Sequence, residues 1–561
     1  MASQISLGVV NMLEHSTDHR RAAHGQRGMA VSSQPLASAA GLEILREGGT
    51  AVDAAIAMNV MLAVTEPYMC GPGGDLFALV WAPQERRLWG LNASGRSAGG
   101  RTLAQLRALL APETVIPMRG AHCVTTPGAV DGWCTLHARF GRLPLRRVLG
   151  AAMAAAREGY VVQPVTARGW AQALVEINAD VALRPYLTAF NALFAPQGRA
   201  PAAGVQQRNG ELADTFELIA SEGREGFYRG ELAHRLVAAT REAGGALQVQ
   251  DLAGAHARWV SPLATPYRGY EVHALPPNGQ GACVLQMLNL LGAGAPPADR
   301  HDAAWWHWFI EAKKLAFADR ARYYADPDFS QLPVTQLLTD AYTASRAALI
   351  DPARTAPDFP PGLMPGSDTT YFAVADAEGM LVSAIQSIFN PFGSALVVPG
   401  GGFALQSRGA GFALDPAHPN AYAPGKRPFH TIIPGFVTRA GVPRLAFGCT
   451  GADMQPQGQV QVLANLFDFG CDVQQAGALP RLRHVGGAQP NGEHAPSVVW
   501  FEPQMPGGVL EGLASRGHVL REITPEMGNF VGGYQGILYD PASRTFSGGS
   551  DPRFDGLALG C

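Results

Sequence analysis

Asp368-Thr369-Thr370-Tyr371-Phe372-Ala373-Val374-Ala375-Asp376-Ala377-Glu378-Gly379-Met380-Leu381-Val382-Ser383-Ala384-Ile385-Gln386-Ser387 is the stretch on which the fold turns. Residues 369–376 and 380–387 lack proline and alternate apolar with small or polar residues, so both are predicted as strands. Ala377-Glu378-Gly379 between them reads as a three-residue hairpin loop, with glycine where a left-handed backbone is needed. That loop pairs Asp376 with Met380, and the ladder then sets Thr369 opposite Ser387; a two-residue loop would shift the register by one. A strand-opening hydroxyl thus faces a second hydroxyl about 5 Å away across the ladder.

Just upstream, residues 351–367 carry Pro352, Pro357, Pro360, Pro361 and Pro365 with two glycines and no apolar periodicity. This composition predicts an exposed linker. A threonine hydroxyl is a poor nucleophile until a base takes its proton. Cutting the Asp368–Thr369 bond would give Thr369 a free α-amine with a pKa of roughly 7.7–8.0, close to working pH. A threonine activated by its own amine is a known form of covalent catalysis. The reading is therefore self-cleavage before Thr369, followed by nucleophilic chemistry from the freed residue. Taken alone, the segment reads more simply as a proline-rich loop before an ordinary hairpin.

Elsewhere the chain shows ordinary globular patterning. Residues 1–30 read as a loose polar leader. Ser33-Gln34-Pro35 opens a helix with Ser33 as cap, ended by Gly48-Gly49. Asp53 is expected to cap a second helix, apolar on all sides and so buried. Gly71-Pro72-Gly73-Gly74-Asp75 forms a tight turn into a strand over 76–81. Helical spacing returns around 305–324.

Composition excludes several classes. The 561 residues are 47% hydrophobic and 16% charged with a formal charge of −3, and no Lys/Arg cluster offers a nucleic-acid footprint. No apolar run is long enough to span a membrane, and no signal peptide is read. Seven scattered cysteines without a C-x-x-C pair fit reduced thiols in a cytoplasm, with the periplasm as the alternative. Gly95-Arg96-Ser97-Ala98-Gly99 matches G-x-S-x-G, but the flanks do not supply strand–turn–helix. His15, His19 and His24 read as solvated, the 71–75 turn lacks the Lys-Ser/Thr of a P-loop, and Cys449 reads as a buried small residue.

Many blocks in one order resemble the gamma-glutamyltranspeptidase family. They include Glu47-Gly48-Gly49-Thr50-Ala51-Val52-Asp53, the 71–75 turn and Thr126-Pro127-Gly128-Ala129-Val130-Asp131-Gly132. Glu311-Ala312-Lys313-Lys314, Asp368-Thr369-Thr370, Gly425-Lys426-Arg427-Pro428 and Ser550-Asp551-Pro552-Arg553 follow. The resemblance implies an α+β fold of the N-terminal nucleophile hydrolases, four layers in the order αββα. It also implies a precursor cut into a large chain, 1–368, and a small chain, 369–561. It makes Thr369 the nucleophile and Ser387 its hydroxyl partner, and it places the oxyanion donors at the Gly451 and Ala452 N–H groups. No metal or organic cofactor is implied.

The chain also departs from the family. The arginine that grips a glutamyl carboxylate falls in Leu91-Asn92-Ala93-Ser94-Gly95-Arg96, leaving Arg96 as a nearby candidate. The paired serines are His430-Thr431, and the asparagine and aspartate that bind an α-amine are Phe389 and Gly411. An acyl group with a terminal carboxylate and no α-amine suits Arg96, Arg408, His430 and Thr431 better. That is the pattern of the family's acylase-type branch, which includes cephalosporin side-chain acylases and hydrolases of small amides such as oxamate. The expected partners are a small-molecule amide and the two chains of one precursor, with a homo-oligomer of that pair left open. The rivals are a γ-glutamyl transferase, an uncut scaffold protein and a serine hydrolase using Ser97.

Overall fold

A computed structural model describes residues 20–296, 299–356, 369–487, 489–492, 495–528 and 530–561. His15, His19, Asp368 and most of the proline-rich segment lie outside the described residues.

The hairpin forms as read. Thr370–Asp376 and Leu381–Ser387 are antiparallel, with Thr370 opposite Gln386 and Ala375 opposite Leu381. The intervening loop turns on Gly379 at φ 89°. These two strands sit in the middle of a seven-stranded antiparallel sheet. Its order is Leu557–Gly560, Gly28–Ser32, Thr370–Asp376, Leu381–Ser387, Asp75–Ala82, Arg87–Ala93, Arg258–Val260. A second seven-stranded sheet runs Ala23–Gly25, Thr545–Ser550, Tyr534–Asp540, Val442–Cys449, Gly435–Arg439, Tyr270–Ala274, Leu263–Tyr267.

Both faces of the central strands are buried, and the alternation of side chains divides them between two cores. Tyr371, Ala373, Ala375, Leu381 and Ile385 join Phe436, Ala446 and Ile537 of the second sheet in a layer between the sheets. Phe372, Val374, Val382 and Ala384 point the other way, onto Val52, Ile56 and Val60 of a helix over Ala51–Thr65. The second sheet is covered on its outer face by helices Gly281–Gly294, Ala303–Tyr323 and Met454–Phe467, through Leu285, Phe309 and Leu463. The layers are therefore αββα, an α+β architecture. Burying one such apolar side chain contributes roughly 1.5–3 kcal/mol, so a one-residue slip of the central hairpin would misplace two cores at once.

Three local readings are corrected. Residues 23–32 are two strands, because Met29 and Val31 fill the inter-sheet layer while Gly28–Ser32 pairs with strands on both sides. Gln34, not Ser33, stands at the N-cap of the Pro35–Arg46 helix; the Ser33 hydroxyl donates to Glu66 Oε2 at 2.8 Å. Thr50 caps the next helix, and Asp53 closes the capping box from its third position. That helix gains another acceptor from the hairpin: Ala51 N–H donates to Asp376 Oδ2 at 2.8 Å.

Candidate active site

Thr369 stands at the head of the central strand, fully buried. Its hydroxyl donates to Ser387 Oγ at 3.4 Å, across the position the register predicts. Ser387 Oγ in turn accepts from Phe389 N–H at 2.8 Å. The 71–75 turn abuts this pair: Asp75 is Ser387's neighbour on the next strand, and a Cβ on Gly74 would lie 2.4 Å from Ser387 O. Only glycine lets the two backbones approach so closely.

A third group reaches the threonine that the sequence reading did not single out. Gln455, buried in the first turn of the Met454–Phe467 helix, donates from Nε2 to Thr369 Oγ1 at 3.5 Å. Its Oε1 accepts from Ile433 N–H at 3.0 Å, which fixes which end of the carboxamide faces the hydroxyl. The available signal was a polar residue a few positions beyond Gly451-Ala452, where a helix must start.

Gly451 and Ala452 form the bend between the Val442–Cys449 strand and that helix, with φ of 101° and 50°. Among the described residues neither N–H donates a backbone hydrogen bond, and both lie at the positive end of the helix dipole. The bend is braced from behind. Ala452 O accepts from Gln280 Nε2 at 2.9 Å, and Gln280 Oε1 accepts from Arg320 Nη1 at 2.6 Å. Arg320 grips Asp453 through two hydrogen bonds of 2.7 and 3.2 Å. Burial works against ionisation of Asp453, but the Arg320 charge holds its carboxyl below the usual range.

Beside the bend lies a small cavity lined by Phe389, Gly411, Phe429, Thr431, Ala452 and Asn491. Arg408 packs against its wall, with Nη1 donating to Thr431 Oγ1 at 2.7 Å and the guanidinium 4.3 Å from the Phe389 ring centre. Although only 1% exposed, Arg408 has no partner for Nε or Nη2 among the described residues. Burial brings its pKa down to about 9, opposed by Asp75, so it stays cationic at neutral pH.

His430 turns away from this cavity. Its ring lies against Phe77, and Nε2 meets Asp75 Oδ2 at 3.1 Å. Burial, reinforced by the Arg408 charge, holds His430 well below its ordinary pKa. It is therefore a neutral imidazole donating Nε2–H to Asp75 while Nδ1 accepts from Ile432 N–H. Asp75 Oδ1 also accepts from Gly95 N, Gly128 N and Gln406 Nε2 at 2.9, 3.1 and 3.0 Å. Burial pushes Asp75 up to about 7, while Arg408 and these donors pull it back.

Arg96 is not part of the cluster. Its guanidinium donates to Gly425 O at 2.6 Å and Asp328 Oδ2 at 2.8 Å, with Asp326 3.7 Å away. The other signals resolve as structural. Ser97 donates to Ala423 O and accepts from Lys426 N, with no basic side chain bonded to its hydroxyl among the described residues. Burial pushes Cys449 up to about 12, leaving it an inert thiol. His307, Glu311 and His518 bring ligand-type atoms within 4.8 Å of one another, but each is engaged. His307 pairs with His518 at 2.8 Å and with Asp351 O at 2.8 Å, and Glu311 accepts from Lys314 and Ala356 N.

The sequence matches the family model described as Gamma-glutamyltranspeptidase over residues 37–561. It is 36% identical to the glutathione hydrolase-like YwrD proenzyme of Bacillus subtilis (strain 168), over 96% of this chain and 99% of that one. It is 34% identical to the Acylase ACY 1 proenzyme of Pseudomonas sp. (strain SE83), over 97% and 95%. The fold superposes on the cephalosporin acylase from Bacillus halodurans with a TM-score of 0.89, 39% identity and 97% of each chain covered. With the N-terminal-nucleophile sandwich and these relatives in hand, the chain belongs to the gamma-glutamyltranspeptidase family.

Proposed function

We propose that this protein is a self-processing amide hydrolase of the acylase type, cut between Asp368 and Thr369 into a large chain, 1–368, and a small chain, 369–561. The observation that carries it is the buried Thr369 hydroxyl, held between Ser387 Oγ and Gln455 Nε2 at the head of its strand. The Gly451 and Ala452 N–H groups, which donate no backbone hydrogen bond among the described residues, support it.

In the cut enzyme the Thr369 α-amine takes the hydroxyl proton as Oγ1 attacks the amide carbonyl. The carbonyl oxygen becomes an oxyanion held by the Gly451 and Ala452 N–H groups, each worth about 3–4 kcal/mol by analogy with measured oxyanion holes. Collapse expels the amine, which takes the proton back from the threonine ammonium. Water then attacks the acyl-threonine ester with the same amine as base. An amine in place of water would give transfer instead.

The acyl group we assign carries a terminal carboxylate and no α-amine, as in a glutaryl amide. Arg408, whose Nε and Nη2 have no partner among the described residues, supplies the charge behind Thr431 and Phe389, and Phe389 and Gly411 carry no side-chain hydrogen-bond acceptor for an ammonium. His430 acts one step back, orienting Asp75. The alternatives are γ-glutamyl transfer or glutathione hydrolysis, and hydrolysis of a small amide such as oxamate. The free cysteines favour a cytoplasmic home.

Intact mass of the wild type beside Thr369→Ala tests the mechanism. Two fragments meeting at Asp368–Thr369 in the wild type, and one uncut chain in the variant, are expected. An uncut wild type under native conditions overturns it. Comparing glutaryl with γ-glutamyl anilides then decides the acyl group.

A further inference from the structure

Thr370 turns its side chain to the face of the sheet opposite Thr369, as strand alternation requires. Tyr371 marks the inter-sheet face and Phe372 the face that packs on the Ala51–Thr65 helix, so Thr370 points toward that helix. There its hydroxyl donates to Glu66 Oε2 at 2.9 Å, and the same oxygen accepts from Ser33 Oγ at 2.8 Å. All three residues are buried, with Glu66 only 2% exposed. Glu66 stands at the C-terminal cap of the Ala51–Thr65 helix, where its N–H still donates to Leu62 O. A carboxylate is disfavoured there twice over, by burial and by the negative end of the helix dipole. A positive charge formed nearby would offset both.

Cleavage before Thr369 would supply that charge. Thr370 and Gln386 form the first rung of the hairpin ladder, so Thr369 would become a chain end just outside it, and such ends fray. The Thr370–Glu66 bond pins the chain one residue in. Covalent geometry keeps the Thr369 nitrogen within roughly 7 Å of Thr370 Oγ1, with Glu66 one hydrogen bond further. At an effective dielectric of about 20, opposite charges roughly 8–10 Å apart shift a proton equilibrium by about one pH unit.

Two titratable neighbours of the carboxylate stay neutral. Burial, reinforced by the Glu66 charge, holds the Cys70 thiol well above its ordinary range and raises the Tyr160 phenol. The charges on the other sides of Thr369 are committed elsewhere. Asp75 pairs with His430 on the Ser387 side, and Asp453 with Arg320 behind the bend. Arg408 stays cationic beyond Thr431, while Arg119 and Arg483 line the cleft beside Gly451.

From this arrangement we propose that Glu66 is the counter-charge of the ammonium that Thr369 forms, and that through Thr370 it positions the threonine amine. As the amine takes the hydroxyl proton it becomes cationic, and a fixed carboxylate on the helix side stabilises that charge during the attack. The ammonium then returns its proton to the departing amine, and Glu66 is left unchanged. This rests on self-cleavage before Thr369 with its amine as base, and adds the group that tunes that base.

The test measures kcat/KM against pH for the cut wild type, Glu66→Gln and Thr370→Val. The substrate is whichever of glutaryl or γ-glutamyl 4-nitroanilide the wild type hydrolyses. Glu66→Gln keeps an acceptor for both hydroxyls and removes the charge, so the amine should lose its proton more readily. The acid limb is expected to move down by about half to one pH unit, while kcat on the plateau falls about fivefold. Thr370→Val keeps the charge and cuts the tether, so kcat should fall about tenfold with the limb in place. A limb that Glu66→Gln leaves unmoved, or that Thr370→Val moves as far, overturns the proposal, since a merely structural contact would not touch the pH profile selectively. If Glu66→Gln stays uncut, Glu66→Asp takes its place: drawing the charge back by one methylene should move the limb the same way by a smaller step, and an unmoved limb overturns the proposal. Nitrogen NMR of the cut enzyme labelled at threonine reads the same amine without turnover, with the same displacement expected. An uncut wild type removes the amine and overturns the self-cleavage reading together with this one. A cut wild type whose amine Glu66→Gln leaves unmoved overturns this one alone.

Discussion

Thr369 is surrounded by groups whose roles differ in kind. Ser387 accepts the threonine proton's hydrogen bond, whereas Gln455 donates to the same oxygen and so favours it when it carries negative charge. Replacing Gln455 by Ala is expected to lower kcat about tenfold with little change in KM, since one neutral hydrogen bond is worth roughly 0.5–1.5 kcal/mol. Steady-state kinetics beside circular dichroism checks this; an unchanged kcat would count against the role. Arg408 makes the opposite kind of prediction. A buried guanidinium with two unengaged donors is costly to the fold, so Arg408→Met should leave Tm unchanged or raise it. The same change should cost about a hundredfold in kcat/KM on a glutaryl amide relative to an uncharged acyl analogue. A fall in Tm with no loss of that selectivity would assign Arg408 to structure alone. Asp75, His430 and Gln280 were unreadable from local spacing, which says neither that a turn carboxylate pairs with a distant histidine nor that a helix-start glutamine braces the Gly451-Ala452 bend.

At the scale of elements, the hairpin and the Gly451-Ala452 bend behave differently. The hairpin register followed from loop length and alternation alone, and it holds to the residue from Thr370 to Ala375. The bend was legible only through resemblance, since a Gly-Ala pair has no distinctive pattern. Its geometry is demanding: at Gly451 φ is 101°, and an added Cβ would lie 3.2 Å from both Gly532 Cα and Met454 Cβ. Gly451→Ala is therefore expected to cost roughly 1–3 kcal/mol of stability. By displacing the donors it should also lower kcat by about a hundredfold or more. Thermal melts and kinetics measured together separate the two effects. The helix caps were misread by one to three residues for a related reason. Ser33 and Asp53 are good caps by type, but Glu66 and Thr50 offer them better partners once the chain has folded.

In the whole molecule, a cut before Thr369 would leave two chains that cannot separate easily. Gly28–Ser32 of the large chain lies between Thr370–Asp376 and Leu557–Gly560 of the small one, hydrogen-bonded to both. The fragments are expected to co-elute on size exclusion and to part only in denaturant. The buried histidines set an acid limit. Burial, with Lys314 and His307 nearby, brings His518 down from 6.5 to about 3, and burial also lowers His307. Between those values the unfolded chain binds a proton that the folded chain refuses, so stability falls as pH drops from 6.5 toward 3. His518→Gln, which can still donate to His307 Nδ1, should flatten that limb in a plot of Tm against pH; an identical slope would show the pair does not set it.

By itself the sequence determined the central hairpin, its register, the Thr369–Ser387 pairing and the family. Each of those rests on local alternation, one loop length or a string of ordered motifs. Only the tertiary structure decided that residues 23–32 are core strands, that Gln455 reaches Thr369 and that Arg96 is spent on Asp328. It also decided that His430 pairs with Asp75. These depend on which distant groups share a desolvated space, and long-range burial and hydrogen-bond competition are set by the packed layers, not by spacing along the chain.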